Sequence, residues 1–403
     1  MLRPADTRPA YADGGGVGGR FPGGCMRQLR RTADLLLASV RSLNWRRQLR
    51  TIIVFLAVLA VGGFLIAASG IIPIKASSGH WALTRWFLSF SMSRSVATHS
   101  MGIKVPKLAD PSLVLQGAGH YETGCRFCHG RPGLRHPPVP RQMTPHPPYL
   151  PPVLPKRESG ELFYIVKHGV KFTGMPAWPA LQRDDEVWAM VAFLRVLPKL
   201  NAAQYEELIR GDDPVRDGKQ AEEVPPVVVE SCGRCHGVDG LGRGVGAFPR
   251  LAGQHIPYLY ASLSAYARGE RHSGMMEPIA AELSSEERRT LARYYGNLPP
   301  SIPLPPQKGL AEAIERGEII AKQGIPSQRI PSCVDCHGPS TIPRNPYYPV
   351  LAGQYFEYLV SQLKLFAKEY RGGTPYVRLM HPTAHQLTEE QIRDVARYYA
   401  SLP

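Results

Sequence analysis

One five-residue pattern occurs three times in the chain: two cysteines separated by two residues and followed directly by a histidine. Its copies are Cys125-Arg126-Phe127-Cys128-His129, Cys232-Gly233-Arg234-Cys235-His236 and Cys333-Val334-Asp335-Cys336-His337. Two thiols one helical turn apart can each form a thioether with the same edge of a porphyrin, and the adjoining histidine then lies beneath the iron. The pattern predicts three covalently attached haems, with His129, His236 and His337 as proximal iron ligands.

Paired cysteines also occur in zinc sites and in redox-active dithiols. The successive pairs here start 107 and 101 residues apart, whereas zinc ribbons bring two pairs together over roughly 15 to 20 residues. A thioredoxin-like dithiol gives no reason for a histidine to follow each pair. Haem attachment accounts for all three copies at once.

A second repeated spacing predicts the ligand on the other side of each iron. Each repeat closes with an amphipathic helix that ends in Leu-Pro, and a methionine lies 22 residues before the leucine in every case. These methionines are Met175, Met276 and Met380. A methionine is usually a flexible filler of hydrophobic cores, but a spacing kept in three repeats favours iron ligation.

Two places leave alternatives to this ligand set. Met275 precedes Met276 directly and differs from it only by one residue in the count. In the first repeat, the proline-rich stretch 136–155 contains His136, Met143 and His146, which compete with Met175 as ligands.

The second and third repeats share a longer duplication. Leu-Ala-Gly-Gln occurs at residues 251–254 and again at 351–354, and matched residues stay 100 positions apart as far as Arg271 and Arg371. All three repeats also have a Pro-x-Leu element, which begins at Pro148, Pro249 and Pro349.

An uncharged stretch of 24 residues runs from Thr51 to Ile74 and is long enough to span a bilayer. It is longer than the apolar part of a cleaved signal peptide, so an uncleaved anchor is favoured. Arginines precede it, whereas only Lys75 follows closely, and the positive-inside rule then places the later residues outside the cytoplasm. The predicted location is a bacterial inner membrane, crossed once, with the C-terminal haem domains in the periplasm.

The net charge of +15 raises the question of nucleic acid. Seven of these charges lie in residues 1–74, and the others are spread over 329 residues without a basic run. We therefore expect no nucleic-acid partner.

The three units resemble class I cytochrome c domains, and the last two are similar to the diheme cytochromes of the c-four type, which share Leu-Ala-Gly-Gln. The resemblance covers about residues 110–403 and implies a small helical wrap around each haem, whose first and last helices cross. It also implies thioethers at Cys125, Cys128, Cys232, Cys235, Cys333 and Cys336, and axial Met175, Met276 and Met380. The carbonyls of the three prolines are expected to accept a hydrogen bond from the proximal histidines. Arg271 and Arg371 either face haem propionates or are solvated.

The predicted fold is mainly α, with an N-terminal transmembrane helix followed by three tandem class I cytochrome c domains. The predicted segments are a cytoplasmic basic tail (1–50), the anchor (51–74), a juxtamembrane interfacial segment rich in aromatic residues (75–108), domain 1 (109–200), domain 2 (215–300) and domain 3 (308–403). First helices are expected at Ser112 to Tyr121 and Leu310 to Gln323, whereas Pro225 and Pro226 shorten that of domain 2.

Iron held by histidine and methionine is six-coordinate, so no small-molecule substrate is expected at the metal. The predicted function is electron transfer in a respiratory chain and not enzymatic catalysis. The expected redox partners are a quinol-oxidising complex or soluble cytochrome on one side and a terminal oxidase on the other. The alternative is the cytochrome subunit of a periplasmic dehydrogenase. A multihaem redox enzyme, such as a haem peroxidase or a thiosulfate-oxidising cytochrome, would need an open or unusually ligated iron.

Overall fold

A computed structural model describes residues 45–210, 224–243, 246–300, 309–339 and 342–403, so most of the predicted basic tail lies outside the described residues. The described chain is mainly helical, and its β pairing is confined to two isolated bridges. Its α-helices of more than four residues are α1 (Trp45–Ala68), α2 (Ala82–His99), α3 (Pro111–His120), α4 (Ser159–His168), α5 (Asp184–Val196), α6 (Ala202–Arg210), α7 (Ile256–Ala267), α8 (Met276–Ala281), α9 (Ser285–Asn297), α10 (Ala311–Gln323), α11 (Phe356–Ala367), α12 (Met380–Gln386) and α13 (Glu389–Ser401).

The described residues divide into two units, one ending at Lys75 and the other beginning at Ala76. In the first unit, α1 is long and apolar enough to cross a membrane, by length and composition. It begins and ends six residues earlier than the predicted anchor of 51–74. The arginines before Thr51 are good helix formers and extend the helix backwards. Gly70 has a φ of 72°, and Pro73 lacks a backbone donor, so the helix ends before them.

In the second unit, α2 covers part of the predicted interfacial segment. Its C-terminal half packs on domain 1, where Val96 is buried and the His99 ring stacks on Tyr164 of α4 with centroids 5.5 Å apart. Its N-terminal half leaves Trp86 and Phe87 exposed. The helix therefore joins the folded domains at one end and offers aromatic rings to its surroundings at the other.

Each predicted haem domain has a core of its own. The buried side chains include Tyr121, Phe193 and Leu197 in domain 1, Val228, Leu291 and Tyr295 in domain 2, and Ile320, Val395 and Tyr399 in domain 3. The closing helices α5, α9 and α13 supply several of these residues, among them Phe193, Tyr295 and Tyr399. Burying such side chains is the main favourable term in folding each domain.

A glycine allows the first and last helices of domains 1 and 3 to cross. A Cβ atom at Gly117 of α3 would lie 2.2 Å from the Ala189 carbonyl oxygen of α5. A Cβ atom at Gly317 of α10 would lie 2.0 Å from the Asp394 carbonyl oxygen of α13. Both distances are far below van der Waals contact, so only glycine fits at either crossing. The expected crossing of first and last helices is therefore present in both domains.

The first helices match the sequence prediction to within one residue, because α3 begins at Pro111 and α10 at Ala311. Asp110 caps α3 by accepting a hydrogen bond from the Ser112 backbone N–H at 2.9 Å. In domain 2, the described helical structure before Gly233 is short: Pro226 and Val227 are helical and continue into one π-helical turn, Val228–Cys232. This agrees with the shortening predicted from the two prolines.

Candidate haem-attachment sites

Each C-x-x-C-H pattern folds locally as one turn of helix: Arg126–His129, Gly233–His236 and Val334–His337. The glycine after each histidine has a φ between 72° and 76°, a conformation that other residues rarely adopt, and it ends the turn. These glycines are Gly130, Gly237 and Gly338. The turn places both cysteines and the histidine of a motif close together.

Each motif histidine forms a hydrogen bond with the backbone carbonyl of a proline in its own domain. Nδ1 lies 2.9 Å from the Pro148 carbonyl oxygen in domain 1, 3.2 Å from that of Pro249 in domain 2 and 2.9 Å from that of Pro349 in domain 3. This confirms the bond that the family resemblance implied. A carbonyl can only accept, so Nδ1 carries the proton and Nε2 keeps a free lone pair. Burial lowers the pKa of all three histidines, which favours the neutral form that binds iron.

The six motif cysteines are partly buried. Burial raises the pKa of Cys125 and of Cys232 to about 12, and of Cys235 and Cys333 to about 11. A protonated thiol is a poor metal ligand and a poor nucleophile. The raised pKa values of these four cysteines therefore argue against a thiolate metal site.

Domains 2 and 3, together with residues of domain 1 such as His120 and Glu186, line one continuous cavity of about 410 Å³. Its walls contain both motifs and both predicted methionines: Cys232, Cys235, His236, Met276, Cys333, Cys336, His337 and Met380. The cavity thus brings together every residue that is predicted to hold the haems of domains 2 and 3. Met275 also lines it, so the choice of Met276 over Met275 stays a prediction.

In domain 1, the proline-rich stretch lies beside the predicted ligand loop. A Cβ atom at Gly174 would lie 2.0 Å from Met143 Cε, so Met143 packs directly against the residue before Met175. His136 Nε2 lies 3.0 Å from the Pro147 carbonyl oxygen, and His146 is exposed. Among the three competing residues, Met143 is therefore the one beside the predicted ligand.

Two buried arginines test whether haem fits the cavity. Arg271 and Arg371 are only 5% and 6% exposed, so the solvated alternative is wrong. Within the described residues neither forms a salt bridge, and the Nε atom of Arg371 has no hydrogen-bond partner. Buried cations need anionic partners, and the two carboxylates of a haem would supply them. The residues present therefore fit this group.

The same arginines make the domain boundary electropositive. Arg271 Nη2 donates to the Tyr358 hydroxyl of domain 3 at 3.1 Å, and Arg371 Nη2 donates to the Tyr258 hydroxyl of domain 2 at 2.7 Å. Burial raises the pKa of Tyr258, but Arg371 and Arg271 oppose this and lower it to about 8. Positive charge near a haem favours the reduced form, because that form carries one positive charge less than the oxidised form.

Domain 1 holds the methionine loop of domain 2 through Glu186, which is 3% exposed. Its carboxylate accepts hydrogen bonds from the Ser273 hydroxyl at 2.6 Å and the Gly274 N–H at 2.7 Å. The Ser273 hydroxyl in turn accepts from the Met276 N–H at 3.1 Å. Burial raises the pKa of Glu186, and the nearby Arg183 opposes this effect.

Sequence reasoning missed two groups of residues. The glycine after each motif histidine recurs in all three repeats, and this regularity could have been used to predict it. Glu186 has no comparable sequence signal, because its partners are 87 and 88 residues away along the chain.

A helical domain with two cysteines and a histidine on one turn, the histidine held by a proline carbonyl, defines the c-type cytochromes. The family model described as "Cytochrome C oxidase, cbb3-type, subunit III" matches residues 112–194, and that described as "Cytochrome c" matches residues 221–298. The similar proteins of known function include cytochromes c, and the chain belongs to the cytochrome c family. It is an electron-transfer protein whose domains attach haem c covalently.

Two relatives and one solved structure illustrate the similarity. The thiosulfate dehydrogenase electron acceptor of Thiomonas intermedia is 37% identical over 44% of this chain and 81% of that protein. Cytochrome c-552 of Acidithiobacillus ferridurans is 34% identical over 48% of this chain and 84% of that protein. The structure of cytochrome c4 from Acidithiobacillus ferrooxidans has 34% identity and a TM-score of 0.38, and covers 42% of this chain and 98% of that chain.

Proposed function

We propose that the chain is a membrane-anchored triheme cytochrome that passes electrons along a respiratory chain toward a terminal oxidase. The observation that carries this proposal is the threefold repetition of one proximal site, with histidine Nδ1 within 3.2 Å of a proline carbonyl oxygen in each domain. The match of domain 1 to a subunit of a cbb3-type oxidase supports the direction toward an oxidase.

In this proposal each domain holds its haem with the residues predicted from the sequence. Thioethers form at the two motif cysteines, and the motif histidine binds iron through Nε2. Met175, Met276 and Met380 occupy the sixth position. The bound haem supplies one-electron redox chemistry, and the protein supplies burial, ligand orientation and closed coordination.

The proposed location is the bacterial inner membrane, with a single crossing and the haem domains in the periplasm. The length of α1 supports a single crossing of the membrane. The arginines near its start support the orientation. The exposed rings of Trp86 and Phe87 on α2 suit the interface between lipid and water, where amphipathic aromatic segments lie.

A specific observation favours a second candidate function. The relative from Thiomonas intermedia is named as the electron acceptor of a thiosulfate dehydrogenase, and it is 37% identical over 44% of this chain. In this alternative, the chain receives electrons directly from a periplasmic dehydrogenase instead of from a quinol-oxidising complex or a soluble cytochrome.

A kinetic experiment distinguishes the two partners. The purified, reduced chain is mixed with membranes that contain a terminal oxidase, and its oxidation is followed optically. We expect rapid oxidation that cyanide abolishes. A chain that such membranes leave reduced, but that thiosulfate dehydrogenase with thiosulfate reduces rapidly, would favour the second candidate.

The number of haems and the anchor can be tested together. We expect the full chain to stay in the membrane fraction after carbonate washing, and its intact mass to include three covalently bound haems. Cys333→Ser combined with Cys336→Ser should remove one haem mass, because both thioethers of domain 3 are lost. A wild-type mass with two haems, or a chain released by the wash, would contradict the corresponding part of the proposal.

A further inference from the structure

The duplicated Leu-Ala-Gly-Gln segments lie opposite each other across the boundary between domains 2 and 3. Gln254 of domain 2 donates from Nε2 to the Val350 carbonyl oxygen at 2.9 Å, and its Oε1 accepts from the Val350 N–H at 2.9 Å. Gln354 of domain 3 donates to the Arg250 carbonyl oxygen at 3.0 Å and accepts from the Arg250 N–H at 3.0 Å. The two domains therefore exchange the same pair of hydrogen bonds.

Both glutamines are buried, with 8% and 7% of their surfaces exposed. A buried amide needs partners for both its oxygen and its nitrogen. Each side chain here finds both partners on one residue of the other domain. The glutamine pair thus sets how the two domains meet.

The residue bound by each glutamine directly follows the proline that receives the proximal histidine. The Pro249 carbonyl and the Arg250 N–H belong to one peptide group, whose oxygen accepts from His236 and whose N–H donates to Gln354. The Pro349 carbonyl and the Val350 N–H form the equivalent group between His337 and Gln254. Each glutamine is therefore one peptide group away from the proximal histidine of the opposite domain.

Hydrogen bonds that share a peptide group strengthen one another. When the peptide N–H donates, its carbonyl oxygen becomes more negative and a better acceptor, by an estimated 10–30% per bond. A stronger acceptor at Nδ1 makes the histidine a more basic ligand, and a more basic ligand stabilises the oxidised iron. The glutamine of one domain should then lower the reduction potential of the haem in the other.

We propose that Gln254 and Gln354 are positioning residues that set the proximal histidine hydrogen bond, and with it the haem potential, of the domain opposite their own. Gln354 of domain 3 acts on the His236 site, and Gln254 of domain 2 acts on the His337 site. The inference rests on the proposed haem ligation by these two histidines. Its consequence is that the two potentials depend on the docking of the two domains.

The test uses Gln354→Leu and Gln254→Leu in the full-length holoprotein, with each haem followed by its own NMR resonances in a redox titration. Gln354→Leu should raise the ratio of reduced to oxidised haem about threefold in domain 2 at a fixed ambient potential, which is about 28 mV for a one-electron couple. The domain 3 haem should stay at its wild-type potential. Gln254→Leu should raise this ratio in domain 3 and leave the domain 2 haem at its wild-type potential.

Tyr355→Phe is the matched control. It removes a hydrogen bond across the same boundary, from the Tyr355 hydroxyl to the Leu241 carbonyl oxygen at 2.8 Å, without touching the proximal peptide groups. Both potentials should remain at their wild-type values. Equal shifts of both haems in a glutamine variant, or a shift confined to the variant's own domain, would overturn the proposal.

A second readout covers the case in which a leucine variant does not fold. Gln354→Glu keeps an oxygen that can accept from the Arg250 N–H, and an ionised carboxylate is a stronger acceptor than an amide, so the His236 ring N–H resonance of the reduced protein should move while that of His337 stays at its wild-type position. A shift of the His337 resonance without one of the His236 resonance would contradict the proposal. Intact mass distinguishes a failure of the proposed haem attachment from a failure of this inference. If both domains carry haem but a glutamine variant leaves the opposite haem unchanged, only this inference is refuted.

Discussion

Gly317→Ala is expected to destabilise domain 3 by about 2 to 3 kcal/mol, the size of effect seen when a packed core receives extra atoms. The new Cβ atom would lie 2.0 Å from the Asp394 carbonyl oxygen and 3.0 Å from Tyr398 Cβ, so α10 and α13 would have to separate. Gly117→Ala should do the same in domain 1, where α3 meets α5. Thermal unfolding followed by circular dichroism, with haem content per chain, measures the effect.

The expected destabilisation has the opposite sign to the usual effect of this substitution. Replacing glycine by alanine in a helix normally stabilises it by about 0.5 to 1 kcal/mol. Gly124→Ala is the matched control, since a Cβ atom there would have no neighbour within 4 Å. If Gly117→Ala and Gly317→Ala were as stable as this control, the close helix crossings would be wrong.

Met380→Leu is expected to open the haem of domain 3, because leucine fills the space without offering a ligand atom. The ferric protein should lose about a third of its methionine-to-iron charge-transfer absorption on the three-site count, and one haem should bind carbon monoxide in the reduced state. Its potential should also fall, since methionine ligation raises it. Optical spectra and a redox titration of the variant check these outcomes.

Met276→Leu and Met175→Leu should behave in the same way in their own domains. Their controls are the neighbouring methionines, Met275→Leu in domain 2 and Met143→Leu in domain 1, which should leave all three haems closed. An effect of Met275→Leu without one of Met276→Leu would show that the 22-residue spacing fails in domain 2. A wild-type haem that binds carbon monoxide readily would favour an enzymatic function.

Much of the fold could be predicted because it depends on contacts within short segments. The motif turns and the helices α3 and α10 follow from local patterns of cysteine, proline and apolar residues. The bounds of α1 were shifted, since hydropathy marks the apolar stretch whereas the helix also includes the charged turns before it. The exposure of Arg271 stayed open for a similar reason, because a helix end gives no sign of what packs on it.

The amino-acid sequence by itself predicted which residues attach and ligate haem, the order of the three domains and the apolar helix before them. These properties depend on residue type and spacing, which survive without knowledge of the packing. Only the tertiary structure decided that Gln354 meets Arg250, 104 residues away, and that Glu186 of domain 1 holds the loop of Met276. Such contacts join segments far apart in the chain, and they form only when separate domains bury their surfaces against each other.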